Sequence, residues 1–234
     1  MTTQMTTRHP ARTAHRAARS LPVVAGIGYS VAWIISLLVG APNPAVTARA
    51  SQVVAAYAGH GGPAMAMFVL AEGVAAAALA VVVISAARAA RHSGARLAGL
   101  TGAGFGIAAA VVSWIELALG AWLVYGPVAG RQTATAGIAY QVLMRLDGAK
   151  MFLLAAMAVA LSAVALTSRA LPRWLAPLGF LLAASLVVSG LGYALLVQGL
   201  ASAVYLSGTL LLVFVTSTGV TLGFAPQTPA VRAA

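Results

Sequence analysis

The sequence has very few charged residues and no cysteine. Only 7% of its 234 residues are charged, whereas a typical soluble domain carries about 25%. The absence of cysteine excludes disulfides, thiolate catalysis, iron–sulfur clusters and cysteine-ligated zinc. Acidic residues are scarcer than basic ones, with three Asp and Glu against 14 Lys and Arg. These scarcities exclude an ordinary soluble domain.

Long apolar runs take the place of the missing charges. Hydrophobic residues make up 61% of the chain, and the mean hydropathy is +0.95. Several runs approach or exceed the roughly 20 residues that a helix needs to cross a bilayer. We therefore predict an all-α protein, a polytopic transmembrane helical bundle with six spans. The predicted spans cover residues 21–40, 64–87, 97–122, 138–167, 174–197 and 201–224.

The basic residues predict how the spans are oriented. A net charge of +11 would suggest nucleic acid for a soluble protein, but here the basic residues lie at span ends, so we predict no nucleic-acid partner. Most of them fall in the tails and in the connections after spans two and four. Because cytoplasmic loops are enriched in Lys and Arg, we predict cytoplasmic N- and C-termini. The predicted location is the cytoplasmic (inner) membrane, with the lipid bilayer as partner.

The two ends of the chain are predicted to be tails. Residues 1–20 are polar and basic and lack apolar periodicity, so we predict a disordered cytoplasmic tail, with the first span opened by Pro22. Residues 225–234 form the second tail. The first span also resembles a signal peptide, with Ala48-Arg49-Ala50 as a cleavage site, but its apolar run exceeds the usual 7–15 residues. We predict a retained span, and cleavage is the alternative.

All three carboxylates lie in or beside predicted spans. At 1.5 Å rise per residue, Glu72 should lie roughly 12 Å, and Glu116 roughly 9 Å, below the outer end of its helix. Asp147 precedes the apolar run of span four, also on the outer side. A charge at membrane depth should face the bundle interior, pair with a cation or take up a proton. We therefore predict a polar cluster that opens towards the outer half of the bilayer.

The cations available at that depth are Arg145 and Lys150. Asp147 and Lys150 are three residues apart on one helix face and can pair directly. Arg145 is predicted to reach across to Glu72 or Glu116. His60, in the outer connection before span two, is a candidate proton carrier at the surface, although a histidine followed by Gly61-Gly62-Pro63 is more often a plain polar loop residue.

The pair Gly102-x-x-x-Gly106 lies near the start of span three. This spacing lets two helices approach closely. In a chain with 24 glycines, we interpret it as ordinary tight helix packing.

Other chemistry is disfavoured by what the sequence does not contain. It has no P-loop glycine pattern before a Lys-Ser/Thr pair, and no His-Glu-x-x-His or other metal-ligand spacing. No two histidines lie in facing spans to hold haem. A serine such as Ser113 or Ser189 has no histidine at membrane depth to activate it. We predict no catalytic residues, no metal and no cofactor.

The layout resembles a group of six-span integral membrane proteins from actinobacteria. The resemblance covers about residues 21–224 and implies a fold and a membrane location without an assigned activity. It is carried by Arg145-Leu-Asp147-Gly-Ala-Lys150, Leu171-Pro-Arg-Trp174, Ser189-Gly-Leu-Gly-Tyr193 and Thr218-Gly219.

We expect a membrane module that binds, senses or helps to move a small polar ligand or a proton. Its candidate binding residues are Glu72, Glu116, Asp147, Arg145, Lys150 and His60. One alternative is a structural or accessory subunit whose buried charges only hold the helices in register. A second alternative is a lipid-modifying membrane enzyme.

Overall fold

The structure, a computed structural model, describes residues 11–224 and is helical apart from short connections, without a strand in that range. Six helical stretches are long and apolar enough to cross a membrane. They comprise Ser20–Leu38, Gly61–Ala90, Arg96–Val128, Thr133–Thr167, Leu175–Ala194 and Gln198–Phe224. The predicted all-α fold with six candidate spans is therefore confirmed for the described part of the chain.

The helices are α1 (Ala11–Leu38), α2 (Ala50–Tyr57), α3 (Gly61–Phe68), α4 (Ala75–Ala90), α5 (Arg96–Leu123), α6 (Thr133–Thr167), α7 (Leu175–Ala194), α8 (Gln198–Ala201) and α9 (Val204–Phe224). Two π-helical segments interrupt the second and third spans. Val69–Val74 joins α3 to α4, and Val124–Val128 extends α5. A π-helical turn places one additional residue in the helix and rotates the side chains that follow it.

The N-terminal region differs from the prediction where it can be compared. Helix α1 begins at Ala11 and runs through Pro22, so residues 11–20 are helical rather than disordered. Alanine and arginine dominate this stretch, and both have high helix propensity. The prediction of disorder relied on the absence of apolar periodicity and did not take this propensity into account. The predicted tails at residues 1–10 and 225–234 lie outside the described residues.

Two predicted connections also contain helical structure. The second span begins at Gly61, because Pro63 lies in the first turn of α3, where no helical hydrogen bond from its nitrogen is required. The connection before it contains the short helix α2. Helix α6 begins at Thr133, earlier than predicted, and is the longest helix at 35 residues.

Helix α6 is central to the bundle, because it packs against both α5 and α7, while α1 packs against α9 and α4. Small residues make these contacts close. A Cβ added at Gly106 would lie 2.7 Å from a methyl group of Val83, and one at Gly102 would lie 3.1 Å from Leu161. The interpretation of Gly102-x-x-x-Gly106 as tight packing is therefore confirmed.

The outward faces of the helices carry large apolar side chains. Leu97 is 78% exposed, Leu38 is 77% exposed and Ile138 is 66% exposed. A water-soluble protein rarely exposes apolar patches of this extent, whereas lipid-facing helix surfaces require them. The surface thus agrees with the apolar helix lengths in indicating a multi-pass membrane protein.

Candidate functional site

Three carboxylates from three spans meet around one lysine. The Nζ atom of Lys150 lies 2.8 Å from Oε2 of Glu72, 2.5 Å from Oε2 of Glu116 and 2.8 Å from Oδ1 of Asp147. Lys150 and Asp147 lie on α6, Glu116 on α5, and Glu72 on the π-helical segment Val69–Val74. We call these four residues the carboxylate–lysine cluster. The structure therefore brings the three acids together, as the sequence predicted.

The π-helical segment places Glu72 in this cluster. Its widened turn changes the angular position of Glu72 relative to the α-helix on either side. Neighbouring α5 contacts the same segment at two points. The Trp114 indole N–H donates to the Gly73 carbonyl at 3.4 Å, and a Cβ added at Gly73 would lie 3.3 Å from Leu117. Such π-helical turns frequently occur at functional sites.

The cluster is largely removed from solvent. The exposed side-chain fraction is 8% for Lys150, 2% for Glu116, 14% for Glu72 and 23% for Asp147. Burial of this degree makes each charge expensive unless it is paired or protonated. Asp147 and Glu72 are the two members of the cluster with the most solvent-exposed side chains.

The charges of the cluster do not balance. Three carboxylates face one ammonium group, so two negative charges remain if every member is ionised. The Oε1 atom of Glu116 is buried and has no hydrogen-bond partner. A buried acceptor without a donor is costly. A proton on Glu116 would satisfy this atom and reduce the excess negative charge from two to one. The arrangement can therefore take up protons.

Two buried apolar clusters lie on either side of the charges along the helix axes. On the side of α2, Phe68 and Leu143 each lie one helical turn from an acid, and Leu123 and Tyr140 belong to the same apolar cluster. On the opposite side, Leu154 lies one turn beyond Lys150 in the larger core. Apolar side chains of α2, in the connection before span two, and of α3, in the first turns of that span, therefore cover the carboxylate–lysine cluster on this side.

The apolar cluster on the α2 side is held in place by the connection between α1 and α2. The Tyr140 hydroxyl donates to the Pro44 carbonyl at 2.5 Å, with the Ala45 carbonyl at 3.3 Å. The Val46 amide donates to the side-chain oxygen of Gln198 at 3.2 Å. Sequence patterns did not predict these contacts, because they join segments that are far apart in the chain.

Two predicted site residues lie outside the carboxylate–lysine cluster. Arg145 is exposed, and among residues 20–224, whose side chains the structure describes, the ion pairs are the three made by Lys150. Arg145 therefore does not reach Glu72 or Glu116. It precedes Asp147 by two residues, and because an α-helix turns by about 100° per residue, the two side chains lie on opposite sides of α6. His60 is exposed before α3, with Nδ1 3.1 Å from the Ala58 carbonyl oxygen.

Two tyrosines near the cluster were not predicted. Tyr29 of α1 is buried and interacts electrostatically with Lys150 and Glu72. Tyr193 of α7 interacts in the same way with Asp147. A sequence signal existed for Tyr193, since it ends the stretch Ser189–Tyr193 that contributed to the family resemblance. Tyr29 lies in an apolar span without any distinguishing neighbour.

Residues with the chemistry of metal or hydrolytic centres are not brought together. The described residues contain no group of three or more His, Cys, Asp and Glu side chains that could hold a metal ion. Ser189 lies 3.2 Å from the Ser207 hydroxyl and donates to the Leu186 carbonyl. His60 and His92 are exposed, and within the described range neither Ser189 nor Ser207 has a histidine among its hydrogen-bond partners.

No protein-family model, curated protein or solved structure matches the chain. The resemblance to six-span actinobacterial membrane proteins therefore stays a prediction, and the function must be argued from the site itself.

Proposed function

We propose that this protein is a membrane module that binds protons, or a small monovalent cation in their place, at the carboxylate–lysine cluster, and that it acts as a sensor or a transport component. The observation that carries this proposal is the sharing of one ammonium by three buried carboxylates. Ionisable groups at membrane depth commonly mark ion pathways and proton relays.

The membrane arrangement is part of the proposal. Arg88, Arg91 and Arg96 surround the connection between α4 and α5, and Arg169 and Arg173 surround that between α6 and α7. The positive-inside rule supports a cytoplasmic position for both connections. In this arrangement both termini are cytoplasmic, the location is the inner membrane and the carboxylate–lysine cluster lies in the outer half of the bilayer.

Proton binding is tested by titrating the purified full-length protein. A cluster that takes up protons gives a pH-dependent stability whose slope reports the protons bound. Glu116→Gln should reduce that slope by about one proton. Arg145→Gln changes a charge on the same helix outside the cluster and should leave the slope unchanged. A wild-type stability that is independent of pH would contradict the proposal.

Cation binding and transport need separate measurements. At constant pH and ionic strength, sodium or lithium chloride should raise the melting temperature above that in choline chloride if a small cation occupies the cluster. Transport is measured in vesicles loaded with a pH-sensitive dye under a potassium diffusion potential. Wild-type protein should move protons faster than empty vesicles, and Glu72→Gln should not. A protein that only senses protons would bind them in the titration but would not carry protons across the vesicle membrane.

A structural function is the second candidate, because one ammonium joins carboxylates from three spans. In that case the charges hold the helices in register. This candidate predicts that Lys150→Met lowers stability, whereas the wild-type stability depends on neither pH nor small cations.

A further inference from the structure

A second polar region lies at the opposite end of α6 from the carboxylate–lysine cluster. A cavity of about 1000 Å³ is bounded by the connection from α6 to α7, by Ser93 between α4 and α5, and by Thr221 and Phe224 at the end of α9. Leu166, on its wall, lies about 24 Å along α6 from Lys150. The cavity is therefore a separate site at the membrane surface that carries the basic connections.

Two guanidinium groups line this cavity, those of Arg169 and Arg173. Both residues are exposed. The chain has three side-chain carboxylates, and all three contact Lys150. No side-chain carboxylate is therefore left for these two arginines, and their counter-charge must come from outside the chain's own side chains.

The hydroxyl groups of the cavity wall are already engaged. Thr167 and Ser168 donate to carbonyls of their own helix at 2.6 Å and 2.8 Å. Ser93 donates to the Ala90 carbonyl at 2.8 Å, and Thr221 to the Ser217 carbonyl at 2.8 Å. The arginines thus remain as the main donors to a ligand, and planar guanidinium groups bind phosphate oxygens in pairs.

The apolar part of the wall distinguishes a lipid from a soluble anion. Leu166 is 50% exposed and Phe224 is 78% exposed, and both lie at span ends where acyl chains begin. Basic pockets between transmembrane helices bind anionic lipid head groups. We propose that this cavity binds the phosphodiester head group of an anionic phospholipid, with Arg169 and Arg173 on the phosphate and the acyl chains along Leu166 and Phe224.

The test uses the full-length protein in a neutral detergent, with dioleoylphosphatidylglycerol as the probe and native mass spectrometry as the readout. Dioleoylphosphatidylcholine is the neutral comparison lipid. The double variant Arg169→Gln/Arg173→Gln should weaken phosphatidylglycerol binding by about tenfold or more. The matched control Arg91→Gln/Arg96→Gln removes the same charge from exposed residues of the same membrane face that do not line the cavity, and it should change binding by less than about threefold.

Folding controls, a charge-preserving variant and competition with inorganic phosphate complete the test. Gel filtration and tryptophan fluorescence establish that each variant is folded. Arg169→Lys/Arg173→Lys keeps the charge but loses paired hydrogen bonding, so it should bind with intermediate affinity. Equal losses in the glutamine variant and its control, or equal binding of phosphatidylcholine, would overturn the proposal. Displacement of the lipid by millimolar inorganic phosphate would also overturn it, by identifying a soluble-anion site.

Discussion

The Nζ atom of Lys150 lies 2.8 Å from Oε2 of Glu72, although 78 residues separate them in the chain. Glu116 and Asp147 contact the same ammonium. Lys150 is the only lysine in the sequence, and it joins the second, third and fourth spans at one point. Its removal should affect both the stability and the proton chemistry of the bundle.

Lys150→Met should destabilise the protein strongly. The substitution leaves three buried carboxylates without a cation, and breaking a buried ion pair costs about 3–5 kcal/mol. The measurement is reversible unfolding in mixed detergent micelles at neutral pH. Arg145→Met removes an exposed charge from the same helix and should change stability by less than about 0.5 kcal/mol. Equal effects of both variants would show that Lys150 is not the shared partner.

A double variant separates the loss of charge balance from the loss of packing. Glu116→Gln added to Lys150→Met removes one of the uncompensated carboxylates, so it should restore part of the lost stability. The expected coupling free energy is about 1–3 kcal/mol, as for groups in one buried network. Purely additive effects would contradict direct pairing between the two side chains.

The excess of acids over bases predicts a pH dependence with a definite sign. Protons that neutralise the buried carboxylates stabilise the folded state, and raising the pH removes them and leaves unpaired negative charge. The melting temperature should therefore be higher at about pH 6 than at about pH 9. Glu72→Gln/Glu116→Gln, which removes both surplus charges, should flatten this difference. A rise in stability towards alkaline pH would contradict the prediction.

Gly148 lies where the backbones of α6 and α7 approach closely. A Cβ added there would lie 2.7 Å from the Ala194 nitrogen and 2.9 Å from the Gly190 carbonyl oxygen, so backbone atoms would have to move. Gly148→Ala should cost about 1–3 kcal/mol, as for overpacked cores. Gly104→Ala is the matched control, since its added Cβ meets nothing within 4 Å. It should be neutral or stabilising by up to about 1 kcal/mol.

The proposed orientation can be tested because the natural chain has no cysteine. His92→Cys places a thiol in the connection between α4 and α5, and Ser51→Cys places one in α2; both positions are exposed. A membrane-impermeant maleimide applied to intact cells should label only the Ser51→Cys protein. After permeabilisation both should react. The reverse pattern would invert the proposed topology.

The sequence by itself determined that the protein is helical with six candidate spans, because the length and hydropathy of an apolar run depend on local composition alone. It also identified Glu72, Glu116, Asp147 and Lys150 as candidates, since ionisable residues are rare in apolar segments. Where π-helical turns occur could not be predicted, because they depend on neighbouring helices as well as on local propensity.

Only the tertiary structure decided which cation serves the acids. The sequence predicted that Lys150 pairs with Asp147 and that Arg145 reaches Glu72 or Glu116, but the rotation of α6 directs Lys150 to all three acids and leaves Arg145 exposed. The structure also covered the α2 side of the cluster with apolar side chains, through helices whose packing joins segments far apart in the chain. Both outcomes depend on how the helices rotate and approach one another, and such long-range contacts are not encoded in any single stretch of sequence.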